Sequence, residues 1–148
     1  MTTALEACDA IAASLVDAAV LPFVQKPADM GEGTPDYPVG SVYWEGGETD
    51  VRSDSTAQTT FGGRVRQHQM NVTLDVAVKQ RNELGPDMVA VITTWDAVQG
   101  WLDSQKQTSC FGIVGAKGFR WSVERTVFED AGQTPYVGFR VTITLRFF

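Results

Sequence analysis

The chain of 148 residues is poor in the residues that most often build reactive sites, with one histidine and two cysteines. His68 would have to serve every histidine role alone, so we interpret it as an exposed or edge residue of a strand rather than a catalytic base. Cys8 and Cys110 lie far apart in sequence and form no CxxC pair. This spacing predicts two buried thiols and argues against a disulfide or a zinc site.

Long apolar runs and a basic N-terminal region are also missing from the sequence. No run approaches the ~20 apolar residues that cross a bilayer. The N-terminal segment carries Glu6, Asp9 and Asp17, where a secretory signal would have basic residues. We therefore expect a protein that is made and used in a cytosol, without a membrane partner.

Basic residues are outnumbered, and the excess of acids is local. Twelve Lys+Arg stand against eighteen Asp+Glu, which gives a formal charge of −6. The segment 29–54 alone contains seven acids and one base, Arg52, so the remainder of the chain is neutral. Because general binding to nucleic acid needs a basic face that neutralises phosphates, we expect no such affinity.

What the sequence does contain is the pattern of one globular domain, with a hydrophobic fraction of 43% and a charged fraction of 20%. Spacing of apolar residues predicts two amphipathic helices, at about 3–20 and from Gly85 to Ser104. Thr3 and Glu6 have the spacing of a capping box at the start of the first helix. Alternation of apolar and polar residues predicts strands at Val39–Glu45, at Met70–Lys79 with a start as early as Arg64, at Phe119–Val127 and at Val137–Phe147.

These elements predict an α+β fold with an antiparallel sheet of about four strands and two helices packed on one of its faces. The order is α-β-(long loop)-β-α-β-β, within a single domain that covers 1–148. The segment at about 46–63 holds too few apolar residues to repay the entropy of ordering it. We predict that it is a mobile loop or an extended hairpin arm, and loops of this length are commonly functional.

The sequence shows no motif of a familiar active site. Its serines lack a G-x-S-x-G elbow, and its glycine-rich segments lack the G-x-x-x-x-G-K-[ST] pattern of a phosphate loop. Glu45, Glu48 and Asp50 do not follow the ligand order of an EF-hand, so we interpret them as part of a solvated acidic loop. We predict a protein that is not an enzyme and that has no cofactor or metal.

Three side chains are candidates for a subunit interface. Trp101 lies off the apolar stripe of the second helix, which leaves interior packing and an interface both open. Arg140 and Arg146 share the strand face opposite Phe139 and Ile143. That face is either solvated or used as a contact surface.

The predicted elements contain characteristic short sequence segments, which are spread over nearly the whole chain. They are the N-terminal helix, Tyr37-Pro38-Val39-Gly40-Ser41-Val42, an acidic Gly-Gly loop, the strand from Arg66 to Val76, a helix of about 18 residues, and the turn Phe128-Glu129-Asp130-Ala131-Gly132 before the strand from Tyr136 to Ile143. In this pattern the chain resembles the tail terminator (tail completion) proteins of long-tailed bacteriophages.

The resemblance implies a structural protein of the virion neck, assembled in the host cytoplasm. Such proteins form a hexameric ring that caps the head-proximal end of the tail tube, stops tube polymerisation and docks the tail to the head. The implied partners are copies of the chain, the tail tube protein and a head-completion or connector protein, while DNA passes through the ring without specific binding. The candidate residues for the channel, or for the loop that contacts the tube or a neighbour, are Glu45, Glu48, Asp50, Arg52, Asp54, Phe61 and Arg64.

Two other functions remain open from the sequence. The first is a head-closure or other neck component with a similar small α+β build. The second is a small-ligand-binding or enzymatic α+β domain, which we expect to be monomeric or dimeric and to have a deep pocket.

Overall fold

A computed structural model describes residues 3–29, 37–51, 66–105, 110–129 and 135–147. In these ranges the chain forms helices α1 (Ala4–Ala18) and α2 (Leu84–Ser104) and strands β1 (Phe23–Gln25), β2 (Val39–Val51), β3 (Arg66–Gln80), β4 (Ala116–Glu129) and β5 (Pro135–Phe147). Short 3-10 turns lie at Pro27–Asp29 and Cys110–Gly112. The predicted α+β class with two helices is confirmed.

The strands form one mixed sheet in the order β1-β2-β3-β5-β4. The long strands pair antiparallel, whereas β1 pairs parallel to β2, with Phe23 opposite Val39. The prediction of about four antiparallel strands is therefore wrong in its count and in this one pairing. A strand of three residues is too short to show alternation in the sequence, and its crossover to β2 provides the length that a parallel pairing needs.

β2 is longer than predicted and continues through Val51 instead of ending at Glu45. Its pairing with β3 changes register between Trp44 and Gly46, where Gly46 has a φ of 125°. Such a bulge shifts the alternation of apolar and polar side chains by one residue. A search for strict alternation in the sequence therefore misses the part of β2 that follows the bulge. The first residues of the segment predicted as a loop or arm are thus strand, and residues 52–65 lie outside the described residues.

α1 begins with the capping box that the sequence predicts. The Thr3 N–H donates to the Glu6 carboxylate at 2.9 Å, and the Glu6 N–H donates to Thr3 Oγ1 at 3.2 Å. The helix ends at Ala18, before Ala19 adopts a left-handed conformation with a φ of 54°. The buried residues of α1 are Ala7, Cys8, Ile11, Ala12 and Leu15.

One face of the sheet, which we call the apolar face, forms the core with both helices. Its central side chains on β3 and β5, among them Leu74, Phe139 and Ile143, are at most 2% exposed. Trp95 of α2 packs edge-on against Phe139, with ring centroids 5.4 Å apart. Some apolar residues of the two helices are exposed, including Val16 of α1 and Ile92 of α2.

Candidate functional site

The second face of the sheet, which we call the polar face, is rich in hydroxyl, amide and charged side chains. Cross-strand pairing aligns one row of Ser41, Asp75, Arg140 and Glu124, a second of Tyr43, Thr73, Thr142 and Ser122, and a third of Asn71, Thr144 and Arg120. The buried residues of α1 and α2 belong to the core on the apolar face, so neither helix covers this one.

A cluster of three side chains ties together β2, β3 and β5 on the polar face. The Tyr43 hydroxyl donates to Asp75 Oδ2 at 2.7 Å. Arg140 donates from Nε to Asp75 Oδ1 at 2.7 Å and from an Nη to Oδ2 at 3.3 Å, a two-pronged pairing. The Arg140 guanidinium also lies over the Phe128 ring of β4, 5.9 Å from its centroid. The cluster therefore spans the four long strands.

Tyr43 and Arg140 of this cluster both have raised pKa values. Burial, together with the hydrogen bond to Asp75, raises the pKa of Tyr43 to about 12. The hydrogen bonds to Asp75 raise the pKa of Arg140 above its already high usual value. Tyr43 thus stays a neutral donor and Arg140 stays a cation, so the arrangement suits a rigid surface better than proton transfer at neutral pH.

Two threonines on the polar face differ in how their hydroxyls are satisfied. Thr144 Oγ1 donates to Asn71 Oδ1 at 2.9 Å. Thr73 is fully buried at 0% exposure, and its Oγ1 has no hydrogen-bond partner among the described residues. The centre of the polar face is therefore closely packed although neither α1 nor α2 lies on it.

The two arginines among the candidate interface residues lie in different environments. The register places Arg140 and Arg146 on one face, as their alternation with Phe139 and Ile143 predicts. Arg146 is exposed, whereas Arg140 is partly buried and forms an ion pair with Asp75. Only Arg146 has a head group that the described contacts leave available to a neighbour.

Trp101 is an interior residue, which agrees with interior packing, one of the two alternatives that the sequence leaves open. Its side chain is 3% exposed, and its Nε1 donates to Ser14 Oγ of α1 at 3.0 Å. Its ring also lies 5.2 Å from that of Phe111, in the turn before β4. The periodicity of α2 alone could not reveal that α1 and this turn cover its second flank.

The candidate residues for the channel or contact loop are only partly within the described residues. Glu45 is exposed at the bulge of β2. Glu48 and Asp50 belong to β2, although their side chains are not among those described. Arg52, Asp54, Phe61 and Arg64 lie outside the described residues. A role for this stretch in a channel or a contact stays a prediction.

A groove of about 500 Å³ lies between the start of α2 and the neighbouring ends of β4 and β5. Leu84 and Val127 line it and are 80% and 49% exposed. Asp87 also lines it, and it accepts the Asn82 N–H at 2.8 Å and pairs with Lys79 Nζ at 3.0 Å. The Asn82 hydrogen bond is the main reason that the pKa of Asp87 is lowered. The carboxylate of Asp87 therefore anchors the start of α2.

The cysteines match their sequence prediction, because Cys8 and Cys110 are both buried and form no disulfide. Burial raises the pKa of the Cys8 thiol to about 11 and raises that of Cys110 as well. Within the described ranges, no group of three His, Cys, Asp or Glu side chains is placed to hold a metal ion. None of the described helices is long and apolar enough to span a membrane.

No protein-family model and no curated protein matches this chain.

Proposed function

We propose that this protein is a tail terminator of a long-tailed bacteriophage. Six copies form a ring on the head-proximal end of the finished tail tube, stop its polymerisation and present the surface to which the head docks. The role is structural, without catalysis or a cofactor. The observation that carries the proposal is the order of α1, the β2–β3 pair, α2 and the β4–β5 hairpin. The sequence segments of these elements resemble that family along nearly the whole chain.

The two-sided sheet supports a ring-forming role. A cyclic ring needs a rigid protomer, because each contact surface must meet its neighbour at one fixed angle. Burial on the apolar face and the Tyr43–Asp75–Arg140 cluster on the polar face hold the long strands together from both sides. A sheet fixed in this way is suited to carrying contact surfaces at its edges.

The placement of acidic residues supports a route for DNA through the ring. The excess of acids at 29–54 includes Glu45 at the bulge of β2 and the β2 residues Glu48 and Asp50. An acidic lining repels phosphates weakly and lets DNA slide without binding, which a basic lining would prevent. Solving the assembled ring tests this point, and residues 45–54 on its outer wall would remove it.

A binding experiment separates this function from its nearest alternative, a head-closure component. Purified chain is mixed with tail tubes and, separately, with the connector of the head, and both are sedimented and imaged with a label on the chain. The terminator function predicts label at one end of each tube. Binding to the connector alone contradicts it and favours head closure.

A further inference from the structure

The sheet has two long outer edges that the described residues leave open. β1 covers β2 only over Val39–Ser41, so the stretch from Val42 to Val51 has no described strand on its outer side. β4 is the last strand on the opposite side, and from Gly118 to Glu129 it pairs with β5 without a register shift. The β4 edge is regular over this stretch, whereas the β2 edge contains the bulge between Trp44 and Gly46. Long open edges present unpaired backbone groups and are templates for pairing with another chain.

The strand directions make these two edges compatible with each other. Each of the steps from β2 to β3, β5 and β4 is antiparallel, so β2 and β4 run in opposite directions. When copies of the chain are related by rotation about an axis parallel to the strands, each strand runs in the same direction in every copy. The β4 edge of one copy therefore meets the β2 edge of the next in an antiparallel orientation, which is the pairing used by the rest of the long strands.

Exposed apolar side chains lie at both edges and on the same face of the sheet. Trp44, opposite Val72 on the apolar face, is 58% exposed at the β2 edge. Val123 and Val127, on the same face at the β4 edge, are 40% and 49% exposed. In a sheet that continues from one copy to the next, a register that places Trp44 beside this valine pair removes all three side chains from water.

The charges of the two edge strands favour pairing between unlike edges. The sequence of β2 contains Glu45, Glu48 and Asp50 and no base, so pairing two β2 edges places acids opposite acids. The sequence of β4 contains the bases Lys117, Arg120 and Arg125 and the acids Glu124 and Glu129. Pairing β2 with β4 brings the acids of β2 beside a strand with three bases and two acids, which lowers the repulsion.

From these observations we infer that copies of this chain join edge to edge, with the β2 edge of one copy paired to the β4 edge of the next. The inference rests on the proposed ring and names the surface that closes it. Such a contact joins different surfaces of the two copies, so it propagates around a ring instead of ending at a dimer.

Single-edge variants test the surface. Trp44→Lys alters the β2 edge, and Val123→Lys combined with Val127→Lys alters the β4 edge. All three positions are exposed, so the fold should be retained, which circular dichroism checks. By sedimentation at concentrations where the wild type is oligomeric, each variant should be monomeric. Leu5→Lys, at a position of α1 that is 56% exposed and outside both edges, is the matched control and should assemble like the wild type.

Mixing the two variants tests the pairing of unlike edges. Trp44→Lys keeps its β4 edge and the double valine variant keeps its β2 edge, so an equimolar mixture should form one-to-one heterodimers and nothing larger. Self-association of either variant alone, or a mixture that stays monomeric, overturns the inference. So does a wild-type chain that is monomeric at its highest attainable concentration. The terminator function has a separate readout in tail length, so the two failures are distinguishable.

Discussion

The two faces of the sheet are held by different forces. The apolar face buries large side chains such as Phe139 and Ile143 under two helices. The polar face is held by a few directional contacts, chiefly Tyr43 to Asp75 and Arg140 to Asp75. Burial depends on area and tolerates exchange of similar side chains, whereas the polar contacts require particular atoms at particular places. The apolar face therefore provides most of the stability, and the polar face fixes how the long strands are placed relative to one another.

The largest expected effect comes from the apolar face. Phe139→Ala removes a ring that is 2% exposed and packed against Trp95, and should lower the free energy of unfolding by about 3–5 kcal/mol. Urea denaturation measures the change. Val89→Ala, at a position of α2 that is 65% exposed, is the control and should stay within about 0.5 kcal/mol of the wild type. An equal loss in both variants would contradict the division between core and surface.

A smaller effect is expected from the charged pair on the polar face. Arg140→Met leaves the Asp75 carboxylate with only Tyr43 as its partner in the cluster, and should cost about 1–2 kcal/mol of unfolding free energy. Arg146→Met alters an exposed arginine of the same strand and face, and should cost less than about 0.5 kcal/mol. Comparable losses for the two arginines would show that the pairing of Arg140 with Asp75 does not add to the free energy of unfolding.

The Tyr43 hydroxyl should contribute about 1 kcal/mol, and it predicts a particular pH dependence. The pKa of Tyr43 is raised to about 12 in the folded chain from an ordinary value of 10.0. Its contribution is therefore fully present below pH 10.0 and is lost as the pH rises toward 12. The difference in unfolding free energy between the wild type and Tyr43→Phe should shrink over this interval. A difference that is constant from pH 9 to pH 12 would exclude the Tyr43–Asp75 bond as its source.

The smallest effect, and one of opposite sign, is expected at the centre of the polar face. Thr73→Val replaces a buried hydroxyl without a described partner and should be neutral or stabilising by up to about 1 kcal/mol. Thr144→Val has the same change of shape but removes the bond to Asn71, and should destabilise by about 1 kcal/mol. Thermal melts of the two variants decide the matter, and the prediction fails if Thr73→Val is the less stable of the pair.

Local signals in the sequence predict the elements better than their contacts. The Thr3–Glu6 capping box and the alternation of β3 and β5 are short-range patterns, and the structure contains them. Pairing of Tyr43 with Asp75 joins residues 32 positions apart, so no local period could reveal it. The sequence does not predict the bulge at Glu45, because the bulge interrupts the period-two pattern. It does not predict β1, because three residues are too few to show that pattern.

The candidate sites show the same limit. Alternation placed Arg140 and Arg146 on one face but could not separate the paired arginine from the exposed one. The burial of Trp101 depends on Ser14, which is 87 positions away, and on the turn that contains Phe111, which follows the end of α2. The open edges of the sheet depend on strand order, which tertiary folding decides. Sequence patterns therefore indicate which residues share a face, while the contacts between faces and edges need the structure.

The length of the tails made without this protein tests the proposed function most directly. The proposed function expects the gene to lie in a phage genome, and its deletion there is followed by negative-stain microscopy of the distribution of tail lengths in the lysate, with the gene supplied in trans as the control. A terminator predicts overlong tails that do not join heads and a return to unit length on complementation. Tails of normal length that still join heads would contradict the account.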